Sequence, residues 1–376
     1  MDKKKKKIIK RVVIVVLSVL LAVILAFAAV ILAFMHKYNS TSFEEVEIVS
    51  RTDTYLPPEQ PELKSEPVVE PDDTDNVVGD TPETLPDEIY TPSDDDDDVP
   101  QDVYDGSKSF MDADAVSVYG GVPIYKVAQK DPNVENFLIV GTDARDVSKH
   151  RGLSDVMIVV SYNKSAGTVK LMSFLRDSYV PIEGYGWGKL NWAYIRYGIG
   201  STINTINQCF DLDIQRFVVI DFNGTKNFID YIGGVDVPLT AAEAVYMGVG
   251  SSDGTYHLDG TTALIHCRNR SLDSDFGRTR RQRDVVSAVI SKMRSGIELS
   301  EVLGMLDHAL KMVRTNIPFT TMVSLVSSVV TGGSISMESY NVPFSDAYGY
   351  GWINGTDSVV TFDFEYTKNR IHDTLY

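Results

Sequence analysis

Apolar residues fall along this chain in three regimes. From Val12 to Met35 it reads VVIVVLSVLLAVILAFAAVILAFM, 24 residues without a charge. As a helix rising 1.5 Å per residue this is about 36 Å long, enough to cross a hydrocarbon core of about 30 Å. The run exceeds a usual signal-peptide apolar region and continues unbroken past Ala26-Phe27-Ala28, so the pattern predicts a retained transmembrane helix. From Glu44 to Asp105 large apolar residues are sparse. Beyond that, short apolar runs recur at strand and helix periods to the end of the chain.

Three of these runs, Phe137–Val140, Val156–Ser161 and Thr168–Leu175, are rich in β-branched residues and bounded by polar or glycine-containing turns. They predict strands. The link Asn163–Gly167 is short enough for a hairpin, which makes the second and third antiparallel. If the first and second pair likewise, Asp143, Asp155 and Arg176-Asp177 all gather at one edge of one sheet. Two carboxylates beside an arginine at strand ends point to a metal and phosphate site.

Further along, Gly184–Asn191 reads as a flexible aromatic loop, Ile199–Phe210 as a helix and Ile214–Phe222 as a strand. A short helix closes at Phe228–Ile232, and Ala263–Cys267 reads as a strand leading into charged residues. Arg278–Arg294 is an amphipathic helix with Asp275 as its N-cap. Helices are expected near Leu299–Val313 and Thr320–Val330, followed by strands, turns and a final short helix. Alternating strands and helices predict an α/β domain with a mixed central sheet packed by helices on both faces.

Charge divides the chain the same way. The net charge is −17, yet Glu44–Asp105 carries 22 Asp and Glu against 2 Lys and Arg, while Met1–Phe43 carries 8 basic residues and 1 acidic. Residues 106–376 therefore sit near −4. The acidic stretch also holds nine of the fifteen prolines and the run Asp94–Asp98. It cannot bury enough surface to offset its ordering entropy and is expected to be a disordered spacer. The basic flank before the apolar run keeps the amino end in the cytoplasm and the rest outside. Expected boundaries are 1–11 for a cytoplasmic tail, 12–35 for the membrane helix, 36–105 for the linker and 106–376 for an extracellular globular domain. No basic domain face suits nucleic acid. Cys209 and Cys267 lie in apolar contexts and read as buried free thiols. His150, His257 and His266 show no ligand spacing.

Between Ile265 and Arg283 stand six arginines against Asp273 and Asp275. Arg268 and Arg270, two apart after the expected strand, can point to one side. Arg278 and Gln282 fall on the first turns of a helix, where the macrodipole also favours an anion. Guanidinium forks suit phosphate oxygens; an exposed basic face is the plainer alternative. Asp143 and Asp155 alone are a weak metal set, but Mg²⁺ takes one or two carboxylates and completes its shell with water and substrate phosphate. HExxH, P-loop, GxSxG and CxxC motifs are all missing.

The chain resembles the LytR-CpsA-Psr family of the Gram-positive cell envelope. The resemblance is carried by the apolar anchor, Gly141-Thr142-Asp143-Ala144-Arg145, Ser154-Asp155, Leu175-Arg176-Asp177 and Lys189-Leu190-Asn191. It continues through Tyr231-Ile232-Gly233-Gly234-Val235-Asp236-Val237, Leu258-Asp259-Gly260, Arg268-Asn269-Arg270 and Asp275-Phe276-Gly277-Arg278 to Arg281-Gln282. The resemblance implies transfer of a sugar-1-phosphate from a polyprenyl-pyrophosphate-linked glycan to peptidoglycan, attaching teichoic acid, capsule or a related polymer. It implies Asp143 and Asp155 as ligands of Mg²⁺, with Mn²⁺ as an alternative. Arg145, Arg176, Lys189, Arg268, Arg270, Arg278 and Gln282 would hold the pyrophosphate head group. Phe217, Phe222, Val285 and Val289 are candidates for an apolar lipid tunnel, each equally at home in an ordinary core. Leu153 stands where the family often has arginine, with Arg151 two positions earlier, and Leu175 stands where proline is common. The alternatives are a polyprenyl-pyrophosphate hydrolase and a non-catalytic polyprenyl-phosphate-binding regulator; intact carboxylates and arginines argue against the latter.

Overall fold

The computed structural model describes residues 46–50, 60–61, 64–65, 121–144, 151–272, 274–294, 304–305, 308–331 and 335–376. The predicted membrane helix, most of the acidic linker, His150, Asp273 and Arg145 lie outside the described residues. Among those described, no helix is long and apolar enough to cross a membrane.

Short strands β1 (Ile48–Val49), β2 (Lys64–Ser65) and β3 (Ile124–Tyr125) precede the main sheet. Its first three members are β4 (Val134–Thr142), β5 (Ser154–Asn163) and β6 (Thr168–Phe174). These are the three predicted strands, antiparallel in sequence. Their hairpin is set by Asn163, whose Oδ1 accepts the backbone N–H groups of Ser165 (3.0 Å) and Ala166 (2.9 Å). Gly167 follows at φ 63°, where a side chain would be strained.

Next come β7 (Tyr179–Ile182) and β8 (Gly186–Lys189), then helix α1 (Leu190–Phe210). The predicted aromatic loop is thus an antiparallel hairpin. Gly184 and Gly186, at φ 78° and 97°, supply its reversal. Strand β9 (Arg216–Asp221) leads directly into α2 (Phe222–Tyr231), whose N-cap Asp221 accepts from Gly224 N–H at 2.6 Å. Then follow β10 (Val235–Leu239), α3 (Ala241–Tyr246), β11 (Gly254–Leu258), α4 (Gly260–Arg268) and α5 (Asp275–Arg294). The chain closes with β12 (Val313–Thr315), α6 (Phe319–Thr331), β13 (Ser336–Val342), β14 (Tyr348–Ile353), β15 (Asp357–Phe362) and α7 (Phe364–Leu375).

One strand expectation is overturned. Ala263–Cys267 is helical, within α4, because Asp259 caps its first turn by accepting from Thr262 N–H at 2.8 Å. A five-residue apolar run carries no decisive period, and the cap tips it to helix. Arg268 therefore ends a helix, and Asn269 separates it from Arg270 as the C-cap. Asp275 likewise lies inside the first turn of α5 rather than at its cap. The region read as a helix to Val313 enters strand β12 there.

The central sheet has six strands in the order β12-β9-β4-β5-β6-β13, with parallel pairs β9/β4 and β6/β13 among antiparallel ones. Its strands alternate cleanly. Leu138, Val140, Met157, Val159, Met172, Phe174, Phe217 and Val219 face α1 and α7 in the main core. Ile158, Val169 and Leu171 face the opposite way and pack with Val286 and Ile290 of α5. Each such side chain contributes about 1.5–3 kcal/mol on burial, which fixes the register. Helices on both faces make the predicted mixed α/β architecture. A second cluster joins α2, α4 and α5 to β10 and β11 through Ile229, Val235, Val237, Leu258, Ala263 and Val285. Cys209 and Cys267 are free thiols; burial raises both, the latter to about 12.

Candidate active site

The C-terminal ends of β4 and β9 and the N-terminal end of β5 lie together. Register pairs Thr142 with Ser154 and with Asp221, so Asp143 and Asp155 leave the same edge of the sheet and Phe222 sits beside them. Asp143 is fastened by its neighbour across the ladder: its Oδ1 accepts Leu153 N–H at 2.7 Å. The close passage requires Gly152, since a Cβ there would fall 2.0 Å from Asp143 Oδ1 and 2.5 Å from Ala144 N. Asp155 takes a hydrogen bond from Arg176 Nη1 at 2.7 Å. Arg176 Nε reaches Asp177 at 3.2 Å, and Lys189 Nζ lies 3.3 Å from Asp177 and 3.8 Å from Asp357. Backbone bonds from Asn191 N–H to Arg176 C=O (3.1 Å) and from Leu190 N–H to Ser178 C=O (2.9 Å) hold this turn against the start of α1.

Arg278 enters from α5. Its side chain is 4% exposed and its Nη2 bonds Asp275 at 3.0 Å, while its Nε and Nη1 find no partner among the described residues. Burial first, then the nearby charges of Arg176 and Arg270, lower its pKa, partly offset by Asp275 and Asp155. The same interactions show that Arg176, Arg270, Asp155 and Arg278 share one field. Arg268 stands over the Phe222 ring, 4.7 Å from its centroid, which sets it at the Asp143 edge by a cation–π contact.

Several predicted residues meet here and others do not. Asp143, Asp155, Arg176, Arg270 and Arg278 converge, with Arg268 and Lys189 on the border. Gln282 is 6% exposed one turn beyond Arg278; its Nε2 donates to Cys267 C=O at 3.4 Å, tying α5 to the end of α4. Phe217 is fully buried in the main core, whereas Val285 and Val289 belong to the second cluster, so these three do not share one wall.

The sequence places Arg281 in the arginine cluster without its positioning role, and gives no sign of its partner Glu243. Arg281, with no exposed surface, donates to Asn269 C=O at 2.6 Å and reaches Glu243 at 3.4 Å. It thereby fixes the loop between Arg268 and Arg270. Glu243 is 2% exposed and also receives Arg280. Burial works against its charge, but the Thr240 N–H and Arg280 outweigh that and lower its pKa. Only a search for a carboxylate partner near α5 could have exposed this pair.

Positive charge falls short at Asp143. Asp143 is raised from 3.8 to about 6, first by burial and then by Asp155, against the lowering effect of the Leu153 and Asp143 N–H groups and of Arg176. Burial opposes the Arg176 charge, and Asp155 and Asp177 more than offset it. A divalent cation would relieve the Asp143–Asp155 repulsion. No group of three or more His, Cys, Asp or Glu suited to a metal occurs among the described residues. A two-carboxylate donor set fits Mg²⁺ or Mn²⁺ with water and phosphate completing the shell, and does not fit a closed zinc centre.

The LytR_cpsA_psr family model matches residues 103–370. The chain belongs to the LytR_cpsA_psr family. Among curated relatives it is similar to the polyisoprenyl-teichoic acid–peptidoglycan teichoic acid transferase TagU of Bacillus mycoides (strain KBAB4). They are 34% identical over 200 residues, 52% of this chain and 64% of TagU. The chain thus spans somewhat less than two thirds of that relative. The fold matches B. subtilis TagV at a TM-score of 0.54 and 26% identity, over 65% of this chain and 98% of TagV. It also matches the LytR-CPS2A-psr family protein YwtF (TagT), solved with bound octaprenyl pyrophosphate lipid. There the TM-score is 0.50 at 22% identity, over 66% of this chain and 94% of TagT, a likeness of fold.

Proposed function

We propose that this protein is a membrane-anchored phosphotransferase that moves a glycan-1-phosphate from a polyprenyl-pyrophosphate carrier to peptidoglycan. Family membership and the activity named for TagU support this reading. The observation that carries it is the convergence of Asp143 and Asp155 with the buried Arg278, two of whose donor atoms have no partner among the described residues. A buried guanidinium with unmet donors is costly unless an anion completes it.

Phosphoryl transfer depends on positioning and on neutralising charge at the bridging and leaving oxygens. Arg278, Arg270, Arg176 and Arg268 would grip the diphosphate oxygens, with Lys189 at the border and Arg145, two positions after Asp143 in the sequence, as a further candidate. Asp143 and Asp155 would hold Mg²⁺, or Mn²⁺ in its place; when bound, the ion supplies charge neutralisation on the diphosphate. Asp155 also orients Arg176 through their 2.7 Å contact. Gln282, with Arg281, holds the arginine-bearing loop in place. The leaving group is polyprenyl monophosphate, whose charge the same arginines stabilise. The uncharged run Val12–Met35 would anchor the chain with its amino end in the cytoplasm, and the acidic linker would let the domain reach the wall.

Incubating the full chain with Mg²⁺, a lipid-pyrophosphate glycan and peptidoglycan fragments tests the proposal. Transfer yields a phosphodiester-linked conjugate. Free sugar phosphate alone would make water the acceptor and the protein a hydrolase, and absence of any turnover would favour a binding protein.

A further inference from the structure

The diphosphate site opens onto an aromatic face that catalysis of phosphoryl transfer does not itself require. Phe276 precedes Arg278 by two residues on the first turn of α5, and its ring lies 4.6 Å from that of Tyr348. Tyr348 meets Tyr350, two residues on along β14, edge to face at 5.5 Å. Both tyrosines project from one side of the strand, since side chains two apart share a face. Glycines alternate with them in Tyr348-Gly349-Tyr350-Gly351. Tyr350 is 46% exposed, a large ring left in solvent beside a polar site.

The connection to the site is direct. Asp275 bonds Arg278 at 3.0 Å and also acts on Arg176 and on the Tyr350 hydroxyl. Across the ladder, Tyr350 pairs with Val360, whose N–H donates to the Asp177 carbonyl at 2.9 Å. Asp177 in turn is the partner of Arg176 and Lys189. The tyrosine strand is therefore braced against the same turn that positions the arginine. Beyond Tyr348 the surface continues into an open depression of about 640 Å³ bordered by Asp346, Thr361, Asp363 and Tyr366.

We infer that Tyr350, Tyr348 and Phe276 form a stacking subsite for the first pyranose ring of the glycan, the sugar bonded to the diphosphate itself. This rests on the proposed diphosphate reading and deepens it. A sugar joined to the distal phosphate would lie within one ring's width of the arginines, and Asp275, paired with Arg278 at 3.0 Å beside Phe276, ties these rings to that border. A pyranose presents an apolar C–H face that fits an aromatic ring, while its hydroxyls stay with water and with Asp275. The rings are held by packing on one another, so stacking costs little ordering entropy. The open depression gives the following sugars room outside the site, which suits a polymer rather than a single residue.

The test compares two probes on the full chain in detergent with Mg²⁺: a prenyl diphosphate carrying one N-acetylhexosamine, and the same prenyl diphosphate without sugar. Tyr350→Ala is expected to weaken binding of the sugar-bearing probe by about 3- to 12-fold, within the range for loss of an aromatic contact. The sugar-free probe should bind within about twofold of wild type, and Tyr350→Phe, which keeps the ring, should match wild type on both. An equal loss on both probes, or none on either, overturns the subsite. An unchanged donor affinity with a raised KM for the peptidoglycan fragment would place the acceptor on this face and equally overturn it. If wild type binds neither probe, the diphosphate reading itself fails, an outcome separate from loss of the subsite alone.

Discussion

Replacing Asp143 by asparagine removes one charge from a half-buried pair while leaving an Oδ1 to accept the Leu153 N–H. Because burial and Asp155 raise Asp143 from 3.8 to about 6, its ionised form is a burden on the metal-free fold at neutral pH. A rise of that size corresponds to about 3 kcal/mol at full value, and partial access of water reduces this to about 1–2 kcal/mol. The sign follows from proton binding. The native state holds this proton more tightly than the unfolded chain, so stability falls as pH rises from 3.8 to about 6 and stays lowered above. In chelated buffer at pH 7, Asp143→Asn should therefore unfold about 2–6 °C higher than wild type, and the gap should close below the unfolded carboxylate range. Thermal unfolding of the full chain followed by tryptophan fluorescence measures it. Adding Mg²⁺ should reverse the order, because the ion stabilises the wild type by mass action and the variant far less. A variant no more stable than wild type without divalent ions would refute the claim that burial and the Asp155 charge make the ionised Asp143 a burden on the fold.

Other outcomes follow from the same geometry. Asp155→Ala and Arg268→Ala should each lower turnover by about two orders of magnitude or more, as loss of transition-state charge stabilisation does, in a radiolabelled transfer assay. Gly152→Ala would drive a methyl to 2.0 Å from Asp143 Oδ1; it should cost about 1–3 kcal/mol in thermal unfolding and reduce transfer at least about tenfold. Glu243→Ala removes a buried carboxylate from the fully buried Arg281, which should cost about 3–5 kcal/mol and weaken diphosphate binding by loosening the Arg268–Arg270 loop.

The sheet edge was legible because β4, β5 and β6 alternate with a period that admits one register, and that register alone assigns Asp143 and Asp155 to one end. Local signals failed where the deciding contact was short or distant. Ala263–Cys267 has the composition of a strand, and only the Asp259 cap makes it α4. The aromatic stretch from Gly184 became a hairpin because two glycines at positive φ turn the chain. Arg281 sits in a run of arginines that suits an anion or a solvated face, and its burial against Glu243, 38 residues away, has no local signal. The Tyr348–Tyr350 face escaped notice because its meaning lies in its position beside Phe276, which no periodicity encodes.

Anomalous scattering from a crystal of the protein grown with Mn²⁺ and a prenyl diphosphate would locate the ion and the diphosphate together. One manganese peak should lie within about 2.5 Å of carboxylate oxygens of both Asp143 and Asp155, with diphosphate oxygens within hydrogen-bonding reach of Arg278. A manganese ion bound elsewhere, or a diphosphate lying away from Arg278, would contradict the proposed site.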